Sequence, residues 1–249
     1  MHPLLQVVHG IREFHKLYSE SPRGAKVGAC PFCGPTMFFE PAPGLGIRCG
    51  KCSAGAVQIA MGRALKELAP DLDALSVCEL SADGAIATYV KKHAKSVALS
   101  EYFEGVAPGS MHGNVRCEDA QALTYPSNAF DLVTHTEVLE HVPDDRRAFG
   151  ELLRILRPGG RMIFTVPMHD GDRTVERARI ENGQLVHLHE PVYHSDPLRA
   201  EGILAYRDYG RDVIARVADA GFAEARFHRS KRRTPYAHPL PVITAIKPT

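Results

Sequence analysis

Four cysteines fall in two Cys-x-x-Cys units, Cys30-Pro-Phe-Cys33 and Cys49-Gly-Lys-Cys52, with fifteen residues between Cys33 and Cys49. Two thiolate pairs brought together by a short hairpin can close a tetrahedron around one zinc ion. Four protein ligands leave no open coordination position, so such a centre is expected to be structural. A segment this short buries too little apolar surface to fold alone, so its fold would depend on the metal. Four unrelated cysteines, or a redox pair, are the alternatives. A second constellation is Glu137-Val-Leu-Glu140-His141. Spacings of three and four residues would put Glu137, Glu140 and His141 on one helical face, where two carboxylates and an imidazole can share a divalent cation. The alternative is carboxylates that cap backbone donors. His187, His189 and His194 follow in a segment rich in turn residues. Histidine titrates near neutrality and can serve as a general base; a loop histidine bonded to backbone is the ordinary alternative.

These residues need a scaffold, and the hydrophobic pattern supplies one. Leu4, Leu5, Val8, Ile11, Phe14, Leu17 and Tyr18 have helical spacing over residues 1–20. Ser19–Lys26 reads as a linker around Pro22 and Gly24. Thr36–Glu40 and Gly46–Arg48 read as strands of a ribbon turned at Pro41–Gly44, and Ala54–Leu68 as a helix. From Ala74 onward strand and helix patterns alternate, the mark of a parallel α/β sheet. The expected strands are Leu75–Glu79, Ser96–Glu101, Asn114–Glu118, Phe130–Thr134, Arg161–Val166, Glu224–His228 and Pro241–Ile246. The expected helices are Gly84–His93, Glu137–His141, Asp145–Leu156 and Arg207–Ala220. A short Pro-containing loop joins the last two strands, so they should pair antiparallel. The expected fold class is α/β, a Rossmann-like seven-stranded sheet with its last strand antiparallel, preceded by a small zinc ribbon. The expected organisation is a helix and linker over 1–27, the ribbon over 28–54, and an α/β domain over 55–249 with an insert at 168–206.

The run from Phe130 to Pro167 closely resembles the second half of a class I methyltransferase that uses S-adenosylmethionine, of the methyltransferase type 11 kind. It joins Phe130-Asp131 and Thr134-His135-Thr136-Glu137 to Leu156-Arg-Pro158-Gly159-Gly160 and Arg161–Pro167. The resemblance implies a cofactor site at the carboxyl ends of the strands. Glu79 matches the acidic residue that closes the first strand, and Gly84 is the one glycine kept in the turn after it. Ser81 and Ala82 stand where the family often has further glycines. Glu101 closes the second strand, where a carboxylate is expected to accept both ribose hydroxyls. Tyr102 or Phe103 would flank the adenine. Asp119, preferred over Glu118, would meet the adenine amino group beside Ala120. Thr134 sits at the carboxyl end of the fourth strand, among ligand positions of open parallel sheets. Asp131 reads as structural, and Pro158-Gly159-Gly160 as a helix stop.

A similar Glu-x-x-Glu-His binds metal in ubiquinone-pathway O-methyltransferases and in small-RNA 3′-end methyltransferases, so the resemblance implies a second divalent metal at Glu137, Glu140 and His141. The insert is similar to a His…Pro-x-Tyr-His-Gly-Asp-Pro segment of bacterial methyltransferase-like proteins. It would act as the acceptor lid, with His141 and His194 as the expected catalytic residues.

The remaining sequence bounds the partners. A hydrophobic content of 44% and charged content of 24% suit a soluble globular protein. A net charge of +1 gives no global field toward nucleic acid or membrane. No apolar run approaches the roughly 18 residues of a membrane span, and Met1–Leu5 does not read as a secretory signal. The cytoplasm is therefore the expected compartment, where thiols stay reduced. The expected activity is methyl transfer from S-adenosylmethionine to a small-molecule acceptor, a metabolite or sugar-like compound. Two alternatives stand beside it. One is an RNA methyltransferase that grips RNA with the ribbon and the basic tail Arg226–Arg233. The other is a non-catalytic binding protein on a degenerate methyltransferase fold, suggested by the glycine-poor turn.

Overall fold

The structure, a computed structural model, describes residues 25–249 except 43, 45, 197–198 and 231–239. The helix expected over 1–20, most of the linker and the end of the basic tail lie outside the described residues. The first three strands are β1 (Lys26–Cys30), β2 (Gly34–Phe39) and β3 (Arg48–Cys49). They pair antiparallel in chain order. β1 is an addition to the sequence reading, which had ended the linker at Lys26. Gly34 turns between β1 and β2 with φ +76, a conformation cheap only for glycine.

The larger unit continues with α1 (Ala56–Leu68), β4 (Ser76–Glu79), α2 (Gly84–His93), β5 (Ser96–Glu101), β6 (Met111–His112), β7 (Val115–Cys117) and β8 (Phe130–Thr136). Then come α3 (Asp145–Ile155), β9 (Leu156–Thr165), β10 (Val175–Glu176), β11 (Ala178–Glu181), β12 (Gln184–His187), β13 (Tyr193–Asp196), β14 (Arg199–Leu204) and β15 (Arg207–Asp208). The chain closes with α4 (Val213–Asp219), β16 (Ala223–His228) and β17 (Val242–Ile246). Eight strands form the main sheet in the order β16-β17-β9-β8-β4-β5-β7-β6. Seven are those expected; the two-residue β6 adds an antiparallel edge. β17 runs antiparallel to both β9 and β16, as the short connection demanded.

Alternation along the strands divides the core into two layers. Cys78, Val133, Met162 and Phe164 face one cluster with Phe149, Leu152 and Ile155 of α3 and Val213 and Val217 of α4. Val77, Leu132 and Ile163 face the other, with Met61, Ala64 and Leu65 of α1 and Ile86 and Val90 of α2. α3 starts where Asp144 accepts a 3.0 Å bond from the Arg147 N–H, an N-cap that satisfies an otherwise unpaired donor. Among the described residues no helix is long and apolar enough to cross a membrane.

Three expected elements differ. Pro158-Gly159-Gly160 does not stop a helix; α3 ends at Ile155 and the triplet lies within β9. The register slips there between Phe130 and Leu132. Gly159 sits at φ +75, and a side chain at Gly160 would meet the Arg157 carbonyl at 2.8 Å, so the glycines permit a bulge. The helix expected at Arg207–Ala220 shrinks to α4, because Arg207–Asp208 pairs as a strand with β10. The helix expected at Glu137–His141 is a 3-10 turn over Leu139–His141, and Glu137 before it has φ +53.

Asp131 is structural, as expected. It accepts from the Ser76 N–H at 2.8 Å and from Arg157 Nη1 at 2.6 Å, tying β8 to the start of β4 and to β9. Partial burial raises its carboxyl, but the Ser76 and Arg157 bonds outweigh that and hold it below the usual range. Asp131→Ala should cost about 1–3 kcal/mol by orphaning the Ser76 N–H, measured by urea unfolding. The lowered native pKa sets the sign: this stabilisation is complete above the unfolded value of about 3.9 and is lost as pH falls through the lower native value.

Candidate active site

β4 lies between β5 and β8, so the chain runs outward through β5 and β7 and then returns to the other side of β4. That reversal marks the carboxyl ends of β4 and β8 as the place where open α/β sheets bind ligands. Registers align the rim: Glu79 is opposite Thr134 on β8 and Leu99 on β5, and Glu101 is opposite Cys117 on β7. The expected cofactor residues Glu79, Ser81, Gly84, Glu101, Asp119 and Thr134 therefore come from adjacent strand ends and their turns.

Their environments differ. Glu79 is 1% exposed. It accepts a short hydrogen bond from Thr134 Oγ1, and its other oxygen has no hydrogen-bond partner among the described residues. Burial pushes its carboxyl up to about 8, with the Thr134 bond opposing and the Glu101 charge adding. Glu79 is thus protonated at neutral pH and can donate. Glu101 is half-buried at the end of β5, and Tyr102 beside it is exposed. Glu118 is occupied by Arg116, by the Thr124 N–H at 2.8 Å and by the Thr124 hydroxyl, which leaves Asp119 as the acceptor at the end of β7. Asp119 itself caps the Gln121 N–H at 2.8 Å, and Ala120 is buried. The turn before α2 is closed by Asp83, which accepts from the Gly84 N–H at 2.6 Å, and Gly84 has φ +94. His135, next to Thr134, points into the core instead of the rim. It is fully buried, stacked on Phe164 at 4.7 Å, and burial alone drops it to about 3, so it is neutral.

The four ribbon cysteines converge. Their sulfurs lie 3.7 Å apart for Cys30–Cys52, 3.4 Å for Cys33–Cys49 and 3.8 Å for Cys33–Cys52. A tetrahedron with zinc–sulfur bonds of about 2.3 Å has edges near 3.8 Å, so the donor set fits zinc. Burial raises the Cys49 thiol, yet the backbone N–H groups of Cys52 and Lys51 outweigh it and bring it down to about 7.

A third grouping joins the insert to the rim. The β13–β14 hairpin docks on the 3-10 turn through His141 Nδ1 and the Leu204 carbonyl, 2.8 Å apart, and through the Tyr206 N–H to the Glu140 carbonyl at 2.7 Å. This brings His194 onto His141 with ring centroids 4.9 Å apart. Glu140 lies beneath both: its Oε1 is 3.4 Å from His141 Nε2 and 3.7 Å from His194 Nδ1. Glu140 is fully buried, and neither carboxylate oxygen has a hydrogen-bond partner among the described residues. The Glu140 carboxylate raises the pKa of His194. The expected trio of Glu137, Glu140 and His141 is corrected. The backbone reversal at Glu137 breaks the helical spacing, and the ligand atoms within 4.8 Å of one another belong to Glu140, His141 and His194. The Glu137 N–H donates to the Thr165 carbonyl at 3.1 Å, and burial with the nearby Glu140 charge pushes the Glu137 carboxyl up to about 7. His187 and His189 are exposed on the far hairpin.

Residues 61–164 match the family model described as a methyltransferase domain. That segment, under half of the chain, resembles a methyltransferase domain. The chain is 38% identical over 52 residues to a ubiquinone biosynthesis O-methyltransferase of Coxiella burnetii, 21% of this chain and 22% of that one. It is 40% identical over 60 residues to a ubiquinone/menaquinone biosynthesis C-methyltransferase of Shewanella halifaxensis, 23% of this chain and 24% of that one. The match thus spans under a quarter of the length of these curated relatives. In fold, the chain is similar to an S-adenosylmethionine-dependent methyltransferase from Mesorhizobium loti, with TM-score 0.50, 18% identity, and coverage of 75% of this chain and 97% of that one.

Sequence reasoning missed the residue that holds the insert in place. Arg207 is 3% exposed. It donates to the carbonyls of Leu139, Val142 and Pro143 at 2.8, 2.6 and 2.7 Å and to Glu176 at 3.1 Å. Asp145 receives Tyr209 Oη at 3.0 Å and Arg216 at 2.9 Å. The available signal was alternation: Ala205, Arg207 and Tyr209 are all buried, a period of two that runs from the insert into the start of the segment read as helical. Arg207→Ala should cost about 3–5 kcal/mol, since it strips three carbonyls and two carboxylates of a buried cation. Arg207→Lys should recover only part, lacking the planar fork. Thermal unfolding of both variants checks this.

Proposed function

We propose that this protein transfers a methyl group from S-adenosylmethionine to a small-molecule acceptor. One observation carries the reading: an acidic rim at the strand-order reversal, with Glu101 at the end of β5, inside a segment matching a methyltransferase domain. The cofactor supplies an electrophilic sulfonium methyl that an acceptor atom attacks in line. Glu101 accepts the ribose hydroxyls, and Asp119 and Ala120 border the adenine with Tyr102. Glu79, buried and bonded to Thr134, supports the floor of the site, and Ser81 and Gly84 let the turn approach the cofactor closely. The protein acts mainly by holding acceptor and methyl in line. The curated relatives in quinone biosynthesis support a small acceptor. RNA is less favoured: the described start of the basic tail is tied down, with His228 Nε2 and Ser230 Oγ bound to Glu67 at 2.9 and 2.8 Å.

His141 and His194 are the groups proposed to activate the acceptor. His141 Nδ1 faces a carbonyl, so it carries the proton, and Nε2 of the neutral ring presents a lone pair to the Glu140 carboxylate. Two lone pairs face each other unless a proton or a cation lies between them. A second reading therefore places a divalent cation on Glu140, His141 and His194, with the Leu204 carbonyl fixing the tautomer as outer-shell carbonyls do. The zinc ribbon is proposed to be structural.

Calorimetry with S-adenosylhomocysteine should give one site per chain. Glu101→Ala should weaken it on the order of tenfold to a hundredfold, by loss of hydrogen bonds to a charged acceptor. No heat at millimolar ligand would end the enzyme reading and leave the binding-protein alternative. Elemental analysis should find one tightly held zinc. Titration with Mn²⁺, a hard ion that thiolates bind poorly, should show a further site lost in His194→Ala. A manganese signal unchanged in that variant removes the cation reading.

A further inference from the structure

The ribbon does not sit apart from the catalytic domain; it is packed into the helices that frame the cofactor turn. Cys30, Phe38 and Cys49 share one buried cluster with Ile59 of α1 and Ala85, the second residue of α2. Pro31 and Phe32, between the first cysteine pair, fill the notch left by Gly62 on α1. A methyl group there would meet the Phe32 ring at 2.4 Å. The same ring contacts Tyr89 of α2 edge-on at 5.5 Å between centroids.

The second cysteine pair leads to the turn by a shorter path. The Cys49 N–H donates to the Ala54 carbonyl and the Ser53 N–H to the Cys49 carbonyl, both at 2.9 Å. This closed knuckle fixes Gly55, the N-cap of α1. The Gly55 N–H donates to Gln58 Oε1 at 3.3 Å, which orients the Gln58 amide. Gln58 Nε2 lies against Gly84, where an added methyl group would meet it at 2.9 Å. Gly84 is the one glycine of a turn in which Ser81 and Ala82 replace the smaller residue. An amide laid on the turn from a neighbouring helix restrains a backbone that its own sequence does not.

We propose that Gln58 is a positioning residue for the cofactor, and that it couples the four-cysteine centre to cofactor binding: an assembled ribbon sets Gly55, Gly55 sets Gln58, and Gln58 holds the turn at Gly84. The proposal rests on the reading that the turn binds S-adenosylmethionine and the cysteines bind zinc. Coupling between two sites is reciprocal: metal and cofactor must strengthen each other by the same factor.

The test measures S-adenosylhomocysteine by calorimetry and zinc by chelator competition, in the full chain. Removal of zinc should weaken S-adenosylhomocysteine by about tenfold, within the usual span of coupling. Saturating S-adenosylhomocysteine should tighten zinc by the same factor. Gln58→Ala, on a half-buried helical position, should keep its zinc and its fold. It should weaken S-adenosylhomocysteine by about five- to tenfold and cut the reciprocal effect on zinc to under about twofold. That loss of coupling at unchanged zinc affinity is something a merely structural residue would not produce. Equal S-adenosylhomocysteine affinity in Gln58→Ala and the parent overturns the proposal. So does a Gln58→Ala protein that keeps the full ligand effect on zinc, whether or not the zinc-free parent stays folded. If the zinc-loaded parent itself binds no S-adenosylhomocysteine, the cofactor reading fails first.

Discussion

The parallel pairing of β4 with β8 is the constraint on which the rest of the structure depends. It forces the chain to return across β4 after building β5 and β7. Wherever strand order reverses, the connections leave in opposite directions and a crevice stays open between them. That pairing sets Glu79, the last residue of β4, opposite Thr134 of β8, while β5 and β7 carry Glu101 and Asp119 on the other side of β4. Both faces of β8 are buried, which favours Leu132 and Val133 in its middle, and the buried polar residues that follow, Thr134 and His135, are held by Glu79 and by stacking on Phe164. Asp131 reinforces the same junction from below through Ser76 and Arg157.

Polar burial positions the insert. Short two-stranded pairs such as β10–β15 and β13–β14 are marginal by themselves. β10–β15 is anchored by the Arg207 guanidinium, buried among carbonyls and carboxylates, and β13–β14 docks through His141 and the Leu204 carbonyl. Such an arrangement contributes little net stability over an apolar equivalent, but it is directional. The Arg207 fork accepts one geometry of the 3-10 turn, and that geometry sets Glu140 and His141 under the hairpin that carries His194.

Much of this was legible in the sequence, and the failures have physical causes. The seven strands were readable because parallel strands buried on both faces are short apolar runs between helical patterns. α2 was readable to the residue: Asp83 caps it, and a Lys-Lys-His run closes it. The cysteine spacing foretold the convergence of four sulfurs. The reading failed where local pattern and tertiary contact disagree. Glu137–His141 has helical spacing, yet Glu137 adopts φ +53. Arg207 has a high helix propensity, yet its charge is satisfied by the carbonyls of a distant turn and by Glu176 and Asp145. His194 could be singled out as a histidine, but its meeting with Glu140 across more than fifty residues depends on how the insert folds back. Gln58 carried no signal at all, since a glutamine on a helix becomes informative only once its neighbour is known to be Gly84.

One further feature of the hairpin bears on how such a site can arise or vanish. Gly202 lies opposite the His194 segment at φ +81, and any β-carbon there would come within 2.5 Å of the His194 carbonyl oxygen. The imidazole reaches the buried carboxylate only because two backbones can touch at that point. A position that offers no functional group therefore decides whether the histidine pair exists. In a lineage, exchange of glycine at 202 for any residue with a β-carbon would push the two backbones apart and disturb the whole cluster, while every residue of the cluster itself stayed unchanged.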